Sequence, residues 1–169
     1  MDEFGAQAMV VIPRLRRYAR ALTGDAMRAD DLVQDTLERA WVKQHLWRQG
    51  SDLRAWMFTI MHNVFVNQIR AHAANATVAL DAEAYDVPAR SSPVDLLEVG
   101  DIDAAIRRLP SEQREVLLLV ALEELSYGET AQALGIPLGT VMSRLYRARE
   151  RLRALLGGEG VVSTLKVVK

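Results

Sequence analysis

Between Pro137 and Leu156 the chain reads PLGTVMSRLYRARERLRALL, and this stretch decides the fold. Val141, Leu145, Ala148, Leu152 and Leu155 recur at intervals of four, three, four and three residues, which draws one apolar stripe along a helix. Turning that helix brings Thr140, Ser143, Arg144, Arg147 and Arg151 onto its other faces, with Arg149 and Arg153 beside them. The stripe faces a core, and the basic side suits phosphates and base edges. The residues before it fix how the helix is presented. Ser126-Tyr127-Gly128-Glu129 has capping-box spacing: the serine hydroxyl accepts from the Glu129 backbone N–H, and the glutamate carboxylate accepts from that of Ser126. A short helix starts there. Gly135 ends it, because glycine tolerates the left-handed conformation after a helix, and Pro137 suits the start of a new helix. Helix, short turn, helix is the geometry that places a second helix in the major groove of DNA. An arginine-rich helical hairpin in solvent has the same outline, but cap, turn and basic face together favour DNA.

The 169 residues are half apolar and one quarter charged, enough for one or two small domains with a core. There is no cysteine, which excludes disulfides, thiolate metal sites and a cysteine nucleophile. His45, His62 and His72 are not at metal-ligand spacing. With no phosphate loop, metal cluster or nucleophile pattern, we expect neither a cofactor nor enzymatic activity. No apolar run is long enough to span a bilayer and no basic-then-apolar segment opens the chain, so a cytoplasmic protein with no membrane insertion of its own is expected. A formal net charge of -1 hides a strong arrangement, since five arginines and one glutamate lie between Gly139 and Leu156. A basic helix in a near-neutral chain argues for a local nucleic-acid contact.

The preceding segments are also helical. From Gly5 to Leu22 we expect Met9, Ile12, Leu15, Ala19 and Leu22 on one side, with Arg14, Arg16, Arg17 and Arg20 solvated and Pro13 either kinking the helix or beginning its regular part. Thr23-Gly24-Asp25 is a stop followed by a cap. The helix after it, from Ala26 to Lys43, sets Ala29, Leu32, Val33, Leu37, Ala40 and Trp41 against Asp31, Gln34, Asp35 and Glu38. That acidic face is either solvated or docks on a basic protein surface, and composition does not decide between them. Gln44 to Asp52 reads as a loop with an exposed Trp47 and a Ser51/Asp52 cap. From Leu53 to His72 follows a mostly apolar helix, one edge of which carries Trp56, Thr59, Asn63, Asn67 and Arg70. An aromatic, amides and a cation on one stripe suit unpaired bases, and equally a core tryptophan beside surface amides. From Ala76 onward the periodicity fails in an acidic stretch with two prolines, which reads as a linker. Asp101 to Leu109 and Glu112 to Glu123 are expected as helices, the second capped by Ser111 and packing Val116, Leu117, Val120 and Ala121 beneath the helix-turn-helix.

The fold class is therefore all-α: a lobe over residues 1–75, a linker over 76–99, a lobe over 100–156 and a flexible tail over 157–169. In this order, RLRRYARALTGD, ADDLVQDTLERAW, LRAWMFTIMHNVFVNQIR and LPSEQREVLLLVALEELSYGETAQALGIPLGTVMSRLYRARERL resemble the extracytoplasmic-function (ECF) sigma factors of bacterial RNA polymerase, within the sigma-70 family. The resemblance implies that the first lobe is sigma region 2 and the second is sigma region 4. It implies that Asp31, Gln34, Asp35 and Glu38 dock on core RNA polymerase. It further implies that Trp56, Asn63, Asn67 and Arg70 meet the minus-10 element of promoter DNA as single strand. Thr140, Ser143, Arg144 and Arg147 would read the minus-35 element as duplex, with Arg149 and Arg151 nearer phosphate. Family members usually carry a basic residue near the start of the recognition helix where this chain has Met142, which leaves the base preference open. The family habit also implies an anti-sigma factor that holds the protein inactive. Two other readings are a sigma mimic that titrates such an inhibitor and a duplex-binding helix-turn-helix regulator. The basic helix speaks against the mimic, and the acidic face with the Trp56 edge speaks against the regulator.

Overall fold

The computed structural model describes residues 2–79 and 98–157. Asp2 and Asp25 open the first two helices: their side chains accept from the backbone N–H groups of Gly5 and Met27. Helix α1 spans Glu3–Thr23 and α2 Ala26–Val42, and Gly24 between them takes the left-handed conformation at φ 70°. A side chain at Gly24 would also press on the Arg107 side chain, 2.8 Å from an added Cβ, so glycine serves both the turn and a close approach of the second half of the chain. After a short 3₁₀ turn at Gln44–Leu46, α3 runs from Leu53 to Ala79, opened by Asp52, whose carboxylate accepts from the N–H groups of Arg54 and Ala55. The second lobe holds α4 (Glu98–Arg107), α5 (Ser111–Leu117) continuing into a π-helical segment (Leu118–Leu122), α6 (Tyr127–Leu134) and α7 (Leu138–Leu156). No strand occurs among the described residues.

The expected all-α class holds, and so does the helix-turn-helix in detail. Both halves of the Ser126–Glu129 capping box form, and Gly135 is left-handed at φ 64°. Several sequence expectations are corrected. The α1 helix runs through Pro13, which lies on the exposed side, so the carbonyl it leaves without a partner is not sealed in the core. Met9 is exposed, while Phe4, Val11 and Tyr18 enter the core; Phe4 packs against Trp47, which is buried rather than exposed. Trp41, expected on the packing face of α2, is 57% exposed. Ser111 does not cap α5, whose preceding residue Pro110 makes no side-chain cap. Helix α3 extends to Ala79 and α4 begins at Glu98, which shortens the expected linker at both ends. The rest of that linker, 80–97, and the tail from 158 onward lie outside the described residues.

The two lobes are packed on one another. Helix α3 lies against α6, and α1 against α4, α5 and the π-helical segment. Leu15, Leu22, Met57 and Met61 of the first lobe belong to the same apolar core as Leu117, Leu119, Leu125 and Leu145 of the second. Within the second lobe, Val116, Leu117 and Val120 lie under the helix-turn-helix as expected, with Ala121 half-buried.

Candidate nucleic-acid and polymerase interfaces

Burial of Val141, Leu145, Ala148 and Leu152 orients α7, and Leu155, at the end of the stripe, is 37% exposed. Ser143, Arg147 and Arg151, four residues apart, therefore form an exposed stripe on the opposite side. Thr140 is half-buried at the first turn. The Ser143 hydroxyl donates to the Thr140 carbonyl at 3.1 Å, its usual interaction when nothing else is present. Arg144 and Arg149 flank the buried stripe and are both half-buried: Arg144 lies 3.8 Å from Glu112 of α5, and the Arg149 Nε is buried with no hydrogen-bond partner among the described residues. The structure thus brings Ser143, Arg147 and Arg151 together and sets Arg144 and Arg149 at the edge. Sequence reasoning missed that Leu138, Met142 and Tyr146, also four apart, stand exposed beside the basic stripe. Their spacing in PLGTVMSRLY was the available signal.

On α3, Asn63, Asn67 and Arg70 share one exposed edge. Trp56, at the start of that edge, is half-buried with its ring edge-on to Phe4, centroids 6.1 Å apart. Phe4 also meets Trp41 at 6.1 Å and Trp47 at 5.8 Å, so all three tryptophans of the chain surround one phenylalanine. The Trp47 indole N–H is buried without a hydrogen-bond partner among the described residues. Position 4 lies before the stretch read as helical, so nothing in the sequence pointed to this cluster.

Asp31, Gln34, Asp35 and Glu38 are exposed together on α2. Gln68 of α3 donates to Asp35 at 2.8 Å, and Gln34 donates to Glu38 at 3.4 Å, which holds two of the carboxylates in place. Met27, Trp41 and Val42, all more than half exposed, extend the same surface of α2 at either end. An acidic centre with apolar ends can meet a basic, partly apolar surface. Among the described residues no helix is long and apolar enough to cross a membrane.

Comparison with known proteins places the chain in a family. Residues 9–62 match the model for the sigma2 domain of PhyR, and residues 100–152 match that for sigma-70 region 4. The chain is 38% identical over 159 residues to the ECF RNA polymerase sigma factor EcfG of Rhodopseudomonas palustris, covering 94% of this chain and 88% of that one. It is 32% identical to the ECF RNA polymerase sigma factor SigM of Bacillus subtilis, over 82% of this chain and 86% of that one. The fold is similar to that of the sigma factor RpoE of Bartonella quintana in complex with the anti-sigma factor NepR, with a TM-score of 0.82, 34% identity, and coverage of 94% and 99% of the two chains. Near-complete coverage at this identity, with matches to both halves, shows that the chain belongs to the ECF sigma factors of RNA polymerase.

Proposed function

We propose that this ECF sigma factor docks on core RNA polymerase through the acidic α2 face, captures the minus-10 element along the Trp56–Arg70 edge of α3, and reads the minus-35 element with α7. The observation that carries the assignment is the coexistence, in one chain, of an exposed acidic face on α2 and an exposed basic face on a capped helix-turn-helix. Asp31, Gln34, Asp35 and Glu38 supply the docking charge. Asn63, Asn67 and Arg70 offer amide and guanidinium groups to unstacked bases, and Trp56 offers only its exposed edge for stacking. Ser143 and Arg147 meet base edges in the major groove, with Thr140 at the helix start, while Arg151 meets phosphate. Arg144 acts from the rim, 3.8 Å from Glu112 of its own lobe, and Arg149 beside it lies nearer phosphate. The protein contributes binding free energy and polymerase supplies the chemistry, so it is not itself an enzyme, and it works in the cytoplasm. The Bartonella relative is bound to an anti-sigma factor, which supports regulation of this chain by a partner of that kind. Run-off transcription with purified core polymerase, this protein and a library of promoter fragments tests all three roles. Specific start sites are expected; core binding without transcript would refute promoter recognition.

PhyR, whose sigma2 domain matches residues 9–62, is an anti-anti-sigma factor complexed with the anti-sigma factor NepR in Bartonella quintana, which supports a second reading, a sigma mimic that binds the inhibitor only. The same experiment separates the two, since a mimic relieves inhibition yet yields no transcript with core polymerase alone.

A further inference from the structure

Leu138, Met142 and Tyr146 of α7 have no part in the roles assigned above. They are 47%, 49% and 67% exposed, while Val141, Leu145, Ala148 and Leu152 of the same helix fill the core behind them. Recurring every four residues, they draw a second apolar strip along the helix, this one facing outward. Met142 and Ser143 are sequence neighbours, as are Tyr146 and Arg147, so the strip runs beside the stripe assigned to base edges, about 100° from it around the axis. Apolar side chains exposed singly are ordinary. Three in register beside a recognition stripe mark a contact.

Gly139 is a second, independent observation. It lies exposed in the first turn of α7, it is not among the glycines with positive φ, and a Cβ built on it would meet nothing within 4 Å. Neither the backbone conformation nor packing among the described residues calls for glycine there, and alanine would favour the helix. Pro137 before it makes no side-chain cap, so no capping side chain roofs this turn. The missing side chain leaves an open notch beside Met142 and Ser143, which follow it by three and four residues. A group from outside can come close to the helix at that point.

A helix in the major groove meets base edges with its N-terminal turns. On the proposal that α7 reads the minus-35 element, on which this inference rests, those turns carry Leu138, Gly139 and Met142. Every base edge in that groove presents hydrogen-bond donors or acceptors, and only thymine also presents a methyl group. An apolar side chain laid over guanine N7 and O6 leaves two acceptors with neither water nor a donor, a cost that a thymine methyl avoids. We propose that Leu138 and Met142 are specificity-determining residues that select thymine through its 5-methyl group, with Gly139 as the notch that admits the base edge. Successive residues of the strip are about 6 Å apart along the axis and successive base pairs about 3.4 Å, so the two side chains reach methyl groups one or two pairs apart. A basic residue at position 142 would instead seek an acceptor, guanine above all. The base preference that Met142 left open thus falls to thymine.

The test removes the methyl and nothing else. A minus-35 element is selected from randomised duplex by the protein bound to core polymerase, and each of its thymines in turn is replaced by uracil. Replacement at one or two positions is expected to weaken holoenzyme binding about three- to fivefold, the worth of one buried methyl group. Met142→Ala, at an exposed site, should abolish the effect at one of these positions and leave the unfolding curve unmoved. Substituting 5-methylcytosine for cytosine at that position should improve binding by a similar factor, although the hydrogen-bonding edge differs from that of thymine. Met142→Arg should move the preference there from thymine to guanine. Gly139→Ala should weaken binding without lowering the melting temperature. Equal affinity for thymine and uracil at every position overturns the proposal, as does a uracil effect that persists unchanged in both Leu138→Ala and Met142→Ala. If Arg147→Ala weakens binding while uracil does nothing, only the methyl contact fails. If no minus-35 sequence is selected at all, the reading of DNA by α7 fails and the methyl contact with it.

Discussion

Arg17 and Arg147 come from stretches with four arginines each, RLRRYAR on α1 and RLYRARER on α7, and the fold uses them in opposite ways. Arg17 is tied at 3.1 Å to a carboxylate with no exposed surface, whereas Arg147 stands in solvent on the outer side of a helix whose inner side is core. The acids divide likewise: Asp31, Asp35 and Glu38 face solvent, while Glu115 and Glu123 are buried between the lobes. Charge density therefore does not separate a recognition surface from an internal ion pair. What separates them is whether the fold has already supplied the opposite charge, and an arginine with no partner among the described residues is the one available to a phosphate or a base.

This contrast can be broken by substituting each face of α7 and α2 in turn. The largest effect is expected at the inner face of α7. Leu145 is 2% exposed, so Leu145→Ala leaves a cavity and costs about 2–5 kcal/mol of stability, measured by urea unfolding. A cost below about 1 kcal/mol would mean that this stripe is not core. Next comes the exposed acidic face. Asp35→Lys with Glu38→Lys is expected to weaken core polymerase binding by about 2 kcal/mol or more, through repulsion from a basic partner, with stability nearly unchanged because the side chains are exposed. Unchanged affinity in a binding titration would remove polymerase from that face. The outer face of α7 follows. Arg147→Ala should cost roughly 1–3 kcal/mol in promoter binding, concentrated at one base pair and with the unfolding curve unmoved. A loss spread evenly over all sequences would reassign Arg147 to phosphate.

How much of this was legible depended on the range of the interactions involved. The Ser126–Glu129 capping box, the Gly135 stop and the α7 stripe are set within a few residues, so periodicity located them and they formed as read, except that Leu155 at the end of the stripe is exposed. Trp41 and Trp47 were assigned to the wrong sides because Phe4, far away in the sequence, draws Trp47 inward and leaves Trp41 at the edge of the ring cluster. The polar contact between the lobes was illegible for the same reason on a longer scale. Arg17 and Glu123 are 106 residues apart, and the π-helical turn that delivers Glu123 has no local signature in LLLVALEEL. The candidate site residues divide accordingly. Helical phase put Asn63, Asn67, Arg70, Ser143, Arg147 and Arg151 at the surface, but Trp56 is half-buried against Phe4 and Arg144 lies beside Glu112 of another helix, partners that phase does not place.

The smallest expected effect is the pH dependence of stability at Glu123, and it sharpens the contrast because only a buried acid should show it. Glu123 faces Arg17 and Arg14 from α1 and Arg54 from α3, all cationic throughout the acid range, and Tyr18, whose hydroxyl is pushed well above 10.0 by burial and by Glu115 and Glu123. Among these groups only the Glu123 carboxyl titrates in weak acid. Its pKa in the folded protein is raised above the ordinary 4.5, chiefly by burial, so the folded state takes up the proton more readily than an unfolded chain in which water solvates the carboxylate. This contribution to stability is therefore present in full below pH 4.5 and is lost as pH rises through the raised value. Acidification from neutral pH should raise the urea-unfolding free energy of the wild-type protein relative to that of Glu123→Gln, which carries no titrating group at this position. The His62–Glu115 pair is common to both proteins and drops out of the difference. If the two proteins keep a constant separation on acidification, Glu123 carries no net penalty in the folded state, and Arg17 offsets its burial in full.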